Sequence, residues 1–146
     1  MKTVKTLLIL SICFFSLNAC KKKGCTDSGA TNYISEAKKD DGSCIFNYTG
    51  NAVIWFNSSK TIEYSATGTS NLYFYLDGTQ IGTLTLLDFV NTAPVCGAAH
   101  AVSLERELGD TKTKGFNLVV KGDSGSTLDS YTLTIKANTC TSFLLN

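Results

Sequence analysis

The chain has 146 residues, of which 13 are Lys or Arg and 12 are Asp or Glu. This near balance is not the charge pattern of a nucleic-acid-binding protein, which has an excess of basic residues clustered on one face, so we expect no nucleic-acid partner. The length suits one domain of about 100 residues plus a smaller module. A domain of that size buries only about 60–70% of its unfolded surface, so covalent cross-links would help to stabilise it.

The first twenty residues have the layout of a secretory signal. Lys2 and Lys5 form a short basic start, and an uncharged apolar run follows from Leu7 to Phe15. This run is shorter than the roughly 20 apolar residues that a membrane-spanning helix needs. A basic start, a short apolar middle and a small residue before the cut are the parts of a signal that is removed after export.

The end of this segment, Leu17-Asn18-Ala19-Cys20, resembles the bacterial lipobox, although Asn18 departs from the small or aliphatic residue usual there. The resemblance implies that residues 1–19 are removed and that Cys20 carries a diacylglyceryl group and an acylated amino group. Two or more acyl chains give stable anchoring, so the bilayer is the expected partner of Cys20. The alternative is an ordinary cleaved signal followed by an unrelated cysteine.

Residues 20–24 form a short tether behind the expected anchor. Lys21, Lys22 and Lys23 either add attraction to an anionic leaflet, at roughly 1 kcal/mol per charge, or simply begin a solvated linker. The tether has neither the Asp typical of inner-membrane retention nor the acidic residues typical of surface export. We therefore expect a cell-envelope location at the outer membrane, with the periplasmic face favoured over the surface.

Six cysteines provide a second indication of an oxidising compartment. Cys13 leaves with the signal and Cys20 carries the lipid, so four remain. An even number in an exported protein predicts disulfides, with three possible connectivities, and the spacing favours Cys25–Cys44 and Cys96–Cys140. A zinc site is the alternative, but the sequence has no C-x₂-C pair.

Residues 25–46 resemble a short repeat of secreted bacterial proteins with the pattern C-x-D, A-x-N-Y and D-D-G-S-C. The matching positions are Cys25, Asp27, Ala30, Asn32, Tyr33, Ala37 and the run Asp40-Asp41-Gly42-Ser43-Cys44. The family is defined by sequence more than by activity, so the resemblance implies a disulfide-closed spacer. Oxygen atoms of Asp27, Asn32, Asp40 and Asp41 are an alternative calcium site, and no other cofactor is expected.

Residues 50–146 are rich in short β patterns separated by Gly, Asp and Ser turns. Leu72, Phe74 and Leu76 alternate with Tyr73 and Tyr75, as in a strand with one buried face. Asp77-Gly78 then predicts a hairpin. The predicted strands are Ala52–Phe56, Leu72–Leu76, Ile81–Leu86, Ala101–Glu107, Phe116–Val120, Tyr131–Ile135 and Thr141–Leu145.

These strands predict an all-β fold, a small antiparallel β-sandwich that is immunoglobulin-like or related. The segment Tyr75-Leu76-Asp77-Gly78, together with Pro94-x-Cys96-Gly97 and Asn138-Thr139-Cys140-Thr141, resembles sandwich domains of envelope lipoproteins. That resemblance implies no assigned activity. It supports pairing Cys96 with Cys140, which would tie a loop to the last strand.

Catalytic signals are weak, so we expect no enzyme activity and assign no catalytic residue. The sole histidine, His100, lies in a loop without a G-x-S-x-G or H-E-x-x-H motif, which favours a surface role. Glu105 and Glu107 share one face of a strand and could form a glycosidase pair. Alternating charge on a solvated strand, with Arg106 facing the other way, explains them more simply.

Aromatic residues offer the best candidates for a ligand-binding surface. Trp55, Tyr73 and Tyr75 could stack on a sugar or an envelope protein, or could pack against a neighbouring module. Three functions stay open. The first is a non-enzymatic structural or binding module, the second a carbohydrate-binding accessory lipoprotein, and the third a hydrolase with an unrecognised site.

Overall fold

The computed structural model describes residues 21–146. The predicted signal segment 1–19 and the predicted lipid-bearing Cys20 lie outside the described residues. The chain divides into two compact units, the first ending at Phe46 and the second spanning Asn47–Asn146. No helix within the described range is both long enough and apolar enough to cross a bilayer.

The first unit, from residue 21 to Phe46, consists of turns held together by the predicted disulfide between Cys25 and Cys44. Cys25 is fully buried, and its backbone pairs with that of Tyr33 in a single parallel β-bridge. Gly42 has φ 76°, a backbone conformation that glycine adopts at little cost, so the Asp-Asp-Gly-Ser run makes the predicted tight turn.

The second unit contains seven strands and one short helix. The strands are β1 (Tyr48–Trp55), β2 (Asn71–Leu76), β3 (Thr79–Thr85), β4 (Val102–Gly109), β5 (Thr113–Lys121), β6 (Thr127–Lys136) and β7 (Cys140–Leu144), and α1 (Ser58–Ser65) follows β1. One sheet has the order β4-β1-β7 and the other the order β3-β2-β5-β6. All seven predicted strands are present, and the all-β sandwich is confirmed.

The strand pairs are antiparallel with one exception, in which β1 and β7 run parallel. A hairpin forces its two strands to be antiparallel, but β1 and β7 are separated by most of the domain and joined by no hairpin. Residue patterns within a strand carry no information about the direction of such a distant partner. The β1–β7 pair is therefore a parallel exception within the predicted antiparallel sandwich.

The core lies between the two sheets and follows the predicted alternation. Leu72, Phe74 and Leu76 are buried on β2, and Leu133 and Ile135 are buried on β6. Each such side chain contributes about 1.5–3 kcal/mol of transfer free energy when fully buried. The same alternation places Tyr73 and Tyr75 on the outer face of the four-stranded sheet.

Helix α1 was not predicted from the sequence. Asn57 begins it, because its side-chain oxygen accepts a hydrogen bond from the Lys60 backbone N–H at 3.1 Å. Lys60 and Tyr64 are four residues apart, so both lie on the face of α1 that is buried. A buried lysine at a position where an apolar residue is expected hides the helical period from a hydrophobicity pattern.

The segment between β3 and β4 crosses the outer side of the three-stranded sheet. The predicted disulfide joins Cys96 in this segment to Cys140 on β7. Immediately afterwards the Gly97 N–H donates to Ser103 Oγ on β4 at 2.8 Å. Because β1 lies between β7 and β4, the crossing segment passes over the face of β1 that points away from the core.

Candidate functional site

An open groove on the outer face of the four-stranded sheet contains two of the predicted ligand-binding residues, Tyr73 and Tyr75. They are two positions apart on β2, so their side chains lie on the same face, roughly 7 Å apart along the strand. Both are partly exposed. The groove has a volume of about 210 Å³ and is lined by Tyr73, Tyr75, Gln80, Lys121, Gly122, Asp123 and Gly125.

Neighbouring strands supply the polar side chains at one side of the groove. The Tyr75 hydroxyl donates to Gln80 Oε1 at 3.3 Å, and Gln80 Nε2 donates to Thr83 Oγ1 at 3.2 Å. Lys121 Nζ lies 4.9 Å from the centre of the Tyr75 ring, at cation–π distance. One face of Tyr75 is thus in contact with a cation, and its hydroxyl is held by an amide.

Asp123, in the loop between β5 and β6, closes the other side of the groove. Its Oδ2 accepts the backbone N–H groups of Ser70 and Asn71 at 2.7 and 3.2 Å, and its Oδ1 accepts Asn71 Nδ2 at 2.9 Å. The hydrogen bond from the Ser70 N–H is the largest of the effects that hold the pKa of Asp123 below its ordinary value. This carboxylate is ionised and fixes the start of β2 to the loop.

The groove combines a partly exposed aromatic surface with an amide, an ammonium and hydroxyl groups. Aromatic faces contact the apolar C–H surface of a ligand, and the polar groups fix its orientation through hydrogen bonds. Its shape is an open trough, which suits a ligand bound along a surface.

Trp55, the third predicted ligand-binding residue, lies in the other sheet and does not line the groove. Its side chain is 8% exposed, and its Nε1 donates to Ser142 Oγ on β7 at 2.9 Å. A buried indole whose polar atom is already bonded has a packing role. The structure therefore brings Tyr73 and Tyr75 together and separates Trp55 from them.

His100 lies in the loop before β4, as predicted, with 61% of its side chain exposed. It has φ 59°, a left-handed conformation that is uncommon for histidine. Its Nδ1 lies 2.6 Å from Asp88 Oδ1, and this contact is the largest cause of the lowered pKa of Asp88. Asp88 Oδ2 also accepts the Thr85 N–H at 2.7 Å, so the pair fastens the loop to the end of β3.

Glu105 and Glu107 are both exposed on the outer face of β4, as the sequence predicts. Their partners across the sheet are Asn51 and Thr49 on β1. Arg106 faces the other way and is half-buried. Both carboxylates thus belong to a solvated strand face.

The residues of the predicted calcium site all bind backbone groups of the first unit. Asp27, Asp40 and Asp41 accept the N–H groups of Gly29, Gly42 and Ser43, respectively. Asn32 accepts the Ile45 N–H and donates to the Ser43 carbonyl. Between residues 21 and 146 no group of three or more His, Cys, Asp or Glu side chains is placed to hold a metal ion, so the calcium hypothesis stays a prediction.

A second polar cluster, which the sequence did not predict, surrounds Lys60 on α1. Lys60 Nζ lies 2.9 Å from Asp129 Oδ2 and 2.9 Å from Glu63 Oε1, and its side chain is only 6% exposed. The Tyr64 hydroxyl donates to Asp129 Oδ2 at 2.6 Å, and the Tyr131 hydroxyl lies 3.0 Å from the same atom. We call these five residues the Lys60 cluster.

Hydrogen bonding within the Lys60 cluster overcomes the effect of burial on its charges. Burial alone raises the pKa of Asp129, but the bonds from Tyr64 and Lys60 hold that pKa below its ordinary value. Burial alone lowers the pKa of Lys60, but the bonds to Asp129 and Glu63 raise it. Burial and the bond to Asp129 raise the pKa of Tyr64. Lys60 and Asp129 are therefore both charged, which favours a structural role.

Comparisons of this chain with models of protein families, with curated proteins and with solved structures found no match.

Proposed function

We propose that this chain is a membrane-anchored envelope lipoprotein whose β-sandwich is a non-enzymatic binding module. The observation that carries the binding role is the groove on β2, β3 and β5, in which Tyr73 and Tyr75 lie beside Gln80 and Lys121. Two partly exposed tyrosines on an open sheet face offer the aromatic contact area that a binding module uses. Anchoring rests on the lipobox resemblance at Cys20.

Carbohydrate is the ligand class that fits this groove best. A sugar ring has an apolar C–H face that packs on an aromatic ring and a rim of hydroxyl groups that bind amides and charged groups. Tyr73 and Tyr75 supply the aromatic surface, and Gln80 and Lys121 supply the polar rim. The open shape of the trough admits a polymer lying across the strands.

A glycan array probed with the full chain in detergent micelles tests this function. We expect binding to a subset of glycans, and we expect the Tyr73→Ala, Tyr75→Ala double variant to bind those glycans at least about tenfold more weakly. That loss corresponds to about 1.4 kcal/mol. The reason is that both rings contribute contact area that alanine does not replace.

The matched control is Thr132→Ala, Thr134→Ala, which removes two exposed side chains from the outer face of β6 without changing the groove lining. This control is expected to bind like the native chain. The proposal would be contradicted if the tyrosine double variant bound every one of these glycans as tightly as the native chain does. Absence of binding to any glycan by the native chain would remove the carbohydrate assignment.

A further inference from the structure

Lys121 is a cation in the groove whose charge is not neutralised by a carboxylate. Its Nζ contacts the Tyr75 ring at 4.9 Å. Among the residues from 21 to 146, the ion pairs involve Lys22, Lys60 and His100, and none involves Lys121. The ammonium group thus has hydrogen-bond donors available for a ligand.

Asp123 lines the same groove but does not serve as the missing partner. Both of its oxygens accept hydrogen bonds from Ser70 and Asn71, which fix the carboxylate toward the start of β2. The anion of the groove is therefore already satisfied by protein donors, whereas the cation is not.

The charge at Lys121 also contrasts with the rest of its domain. Residues 47–146 contain six Lys or Arg and eight Asp or Glu residues, so the domain as a whole is slightly negative. A general attraction for polyanions is not expected from such a surface. An anionic ligand would be drawn to this domain by a local positive group beside the two tyrosines.

We infer that the groove selects anionic sugars and that Lys121 is the residue which recognises their negative charge. The inference rests on the proposed function and adds the ligand class. The sugar packs against the tyrosines while its carboxylate or sulfate accepts hydrogen bonds from the Lys121 ammonium. Carboxylate and sulfate offer the same chemistry to a lysine, which binds anions as a point charge with three donors.

Two matched pairs of polymers test this inference on the full chain in detergent micelles. Polygalacturonate is compared with its fully methyl-esterified form, and dextran sulfate is compared with dextran, so that each pair shares a sugar backbone and only one member carries negative charge. We expect the native chain to bind one or both acidic polymers about fivefold more tightly than the neutral counterpart. This preference is expected to shrink as salt is raised from 50 to 500 mM. The groove is partly exposed, so salt screens the attraction between the Lys121 ammonium and the anionic group of the sugar.

Variants assign the preference to the groove. Lys121→Gln is expected to abolish the difference within each polymer pair, and Lys121→Arg to retain it. Lys136→Gln removes the same charge from an exposed site on β6 outside the groove and is expected to bind like the native chain. Emission from the sole tryptophan, which is buried at position 55, checks that each variant is folded.

The outcomes separate this inference from the proposed function. Equal binding of acidic and neutral polymers by the native chain, or a preference that survives in Lys121→Gln, overturns the role of Lys121 and leaves carbohydrate binding intact. Loss of the preference in both Lys121→Gln and Lys136→Gln overturns it too, because the charge would then act from the whole surface. Binding of no glycan at all overturns both proposals.

Discussion

The side-chain ammonium of Lys60 is buried, and the free-energy cost of removing its charge from water has to be offset by specific partners. A charged group removed from water costs several kcal/mol unless its partners are well placed. Here Asp129 and Glu63 each accept from Nζ at 2.9 Å, and Tyr64 and Tyr131 supply further donors to Asp129. The cluster joins α1 to β6, so it fixes the helix against the sandwich.

Asp129→Asn is expected to lower the free energy of unfolding by about 2–4 kcal/mol, because the buried Lys60 would keep its charge and lose one of its two carboxylate partners. Urea unfolding followed by Trp55 emission measures the change. Asp110→Asn, at an exposed site of the same domain, is the control and is expected to change stability by less than about 0.5 kcal/mol. A similar small effect for Asp129→Asn would show that the cluster contributes little.

Asp129 also makes the free energy of unfolding depend on pH. The pKa of Asp129 lies below its ordinary value of 3.8 in the folded protein. Its stabilising contribution is therefore complete above pH 3.8 and is lost as pH falls through the lower, folded value. The difference in unfolding free energy between the native chain and Asp129→Asn is expected to shrink below about pH 3.8. A difference that stays constant down to pH 2 would contradict this assignment.

Individual residues of the groove were predictable only in part. Tyr73 and Tyr75 follow from strict alternation on β2, a local pattern. Gln80 and Lys121 lie beside these tyrosines because β2 pairs with β3 and β5. A local sequence pattern does not show which distant strands pair. The bonds from Ser70 and Asn71 to the Asp123 carboxylate likewise depend on tertiary contact.

At the scale of elements, the strands were predictable because each has one buried face with a period of two. The hairpin between β2 and β3 was predictable because Asp77 and Gly78, at φ 47° and 83°, suit a two-residue turn. Helix α1 was not, because Lys60 and Tyr64 form its buried face in place of aliphatic residues. Propensity for short helices is weak, and tertiary contacts decide them.

Within the second unit, the segment from β3 to β4 is held by a covalent link. It has few backbone hydrogen bonds to the sheet that it crosses, and Cys96–Cys140 ties it to β7. The double variant Cys96→Ser, Cys140→Ser is expected to lose about 2–4 kcal/mol of unfolding free energy, since the disulfide closes a loop of 44 residues in the unfolded chain.

Thermal unfolding of this variant in the absence of reductant measures that loss. The matched control is the native chain with both disulfides reduced, which is expected to be at least as destabilised as the double variant. Unchanged stability in the double variant would show that the crossing segment packs independently of the disulfide.

For the whole molecule, the structure shows two compact units, and the sequence predicts a lipid anchor before the first. Cys20→Ala is expected to abolish incorporation of radiolabelled palmitate and to release the chain from the membrane fraction, because no acyl chain can then be attached. Cys44→Ala, which breaks a disulfide of the first unit without touching the lipobox, is the control and should still label. Labelling that persists in Cys20→Ala would refute the anchor.

The proposed ligand site spans Tyr73, Tyr75 and Lys121 on the outer face of the four-stranded sheet. Chemical-shift mapping by ¹H–¹⁵N NMR tests this site. The full chain in detergent micelles is titrated with a glycan that it binds on the array. We expect the largest shifts on the backbone amides of these three residues and of the other residues that line the groove. Shifts concentrated around His100 and Cys96, or spread evenly over the domain, would contradict it.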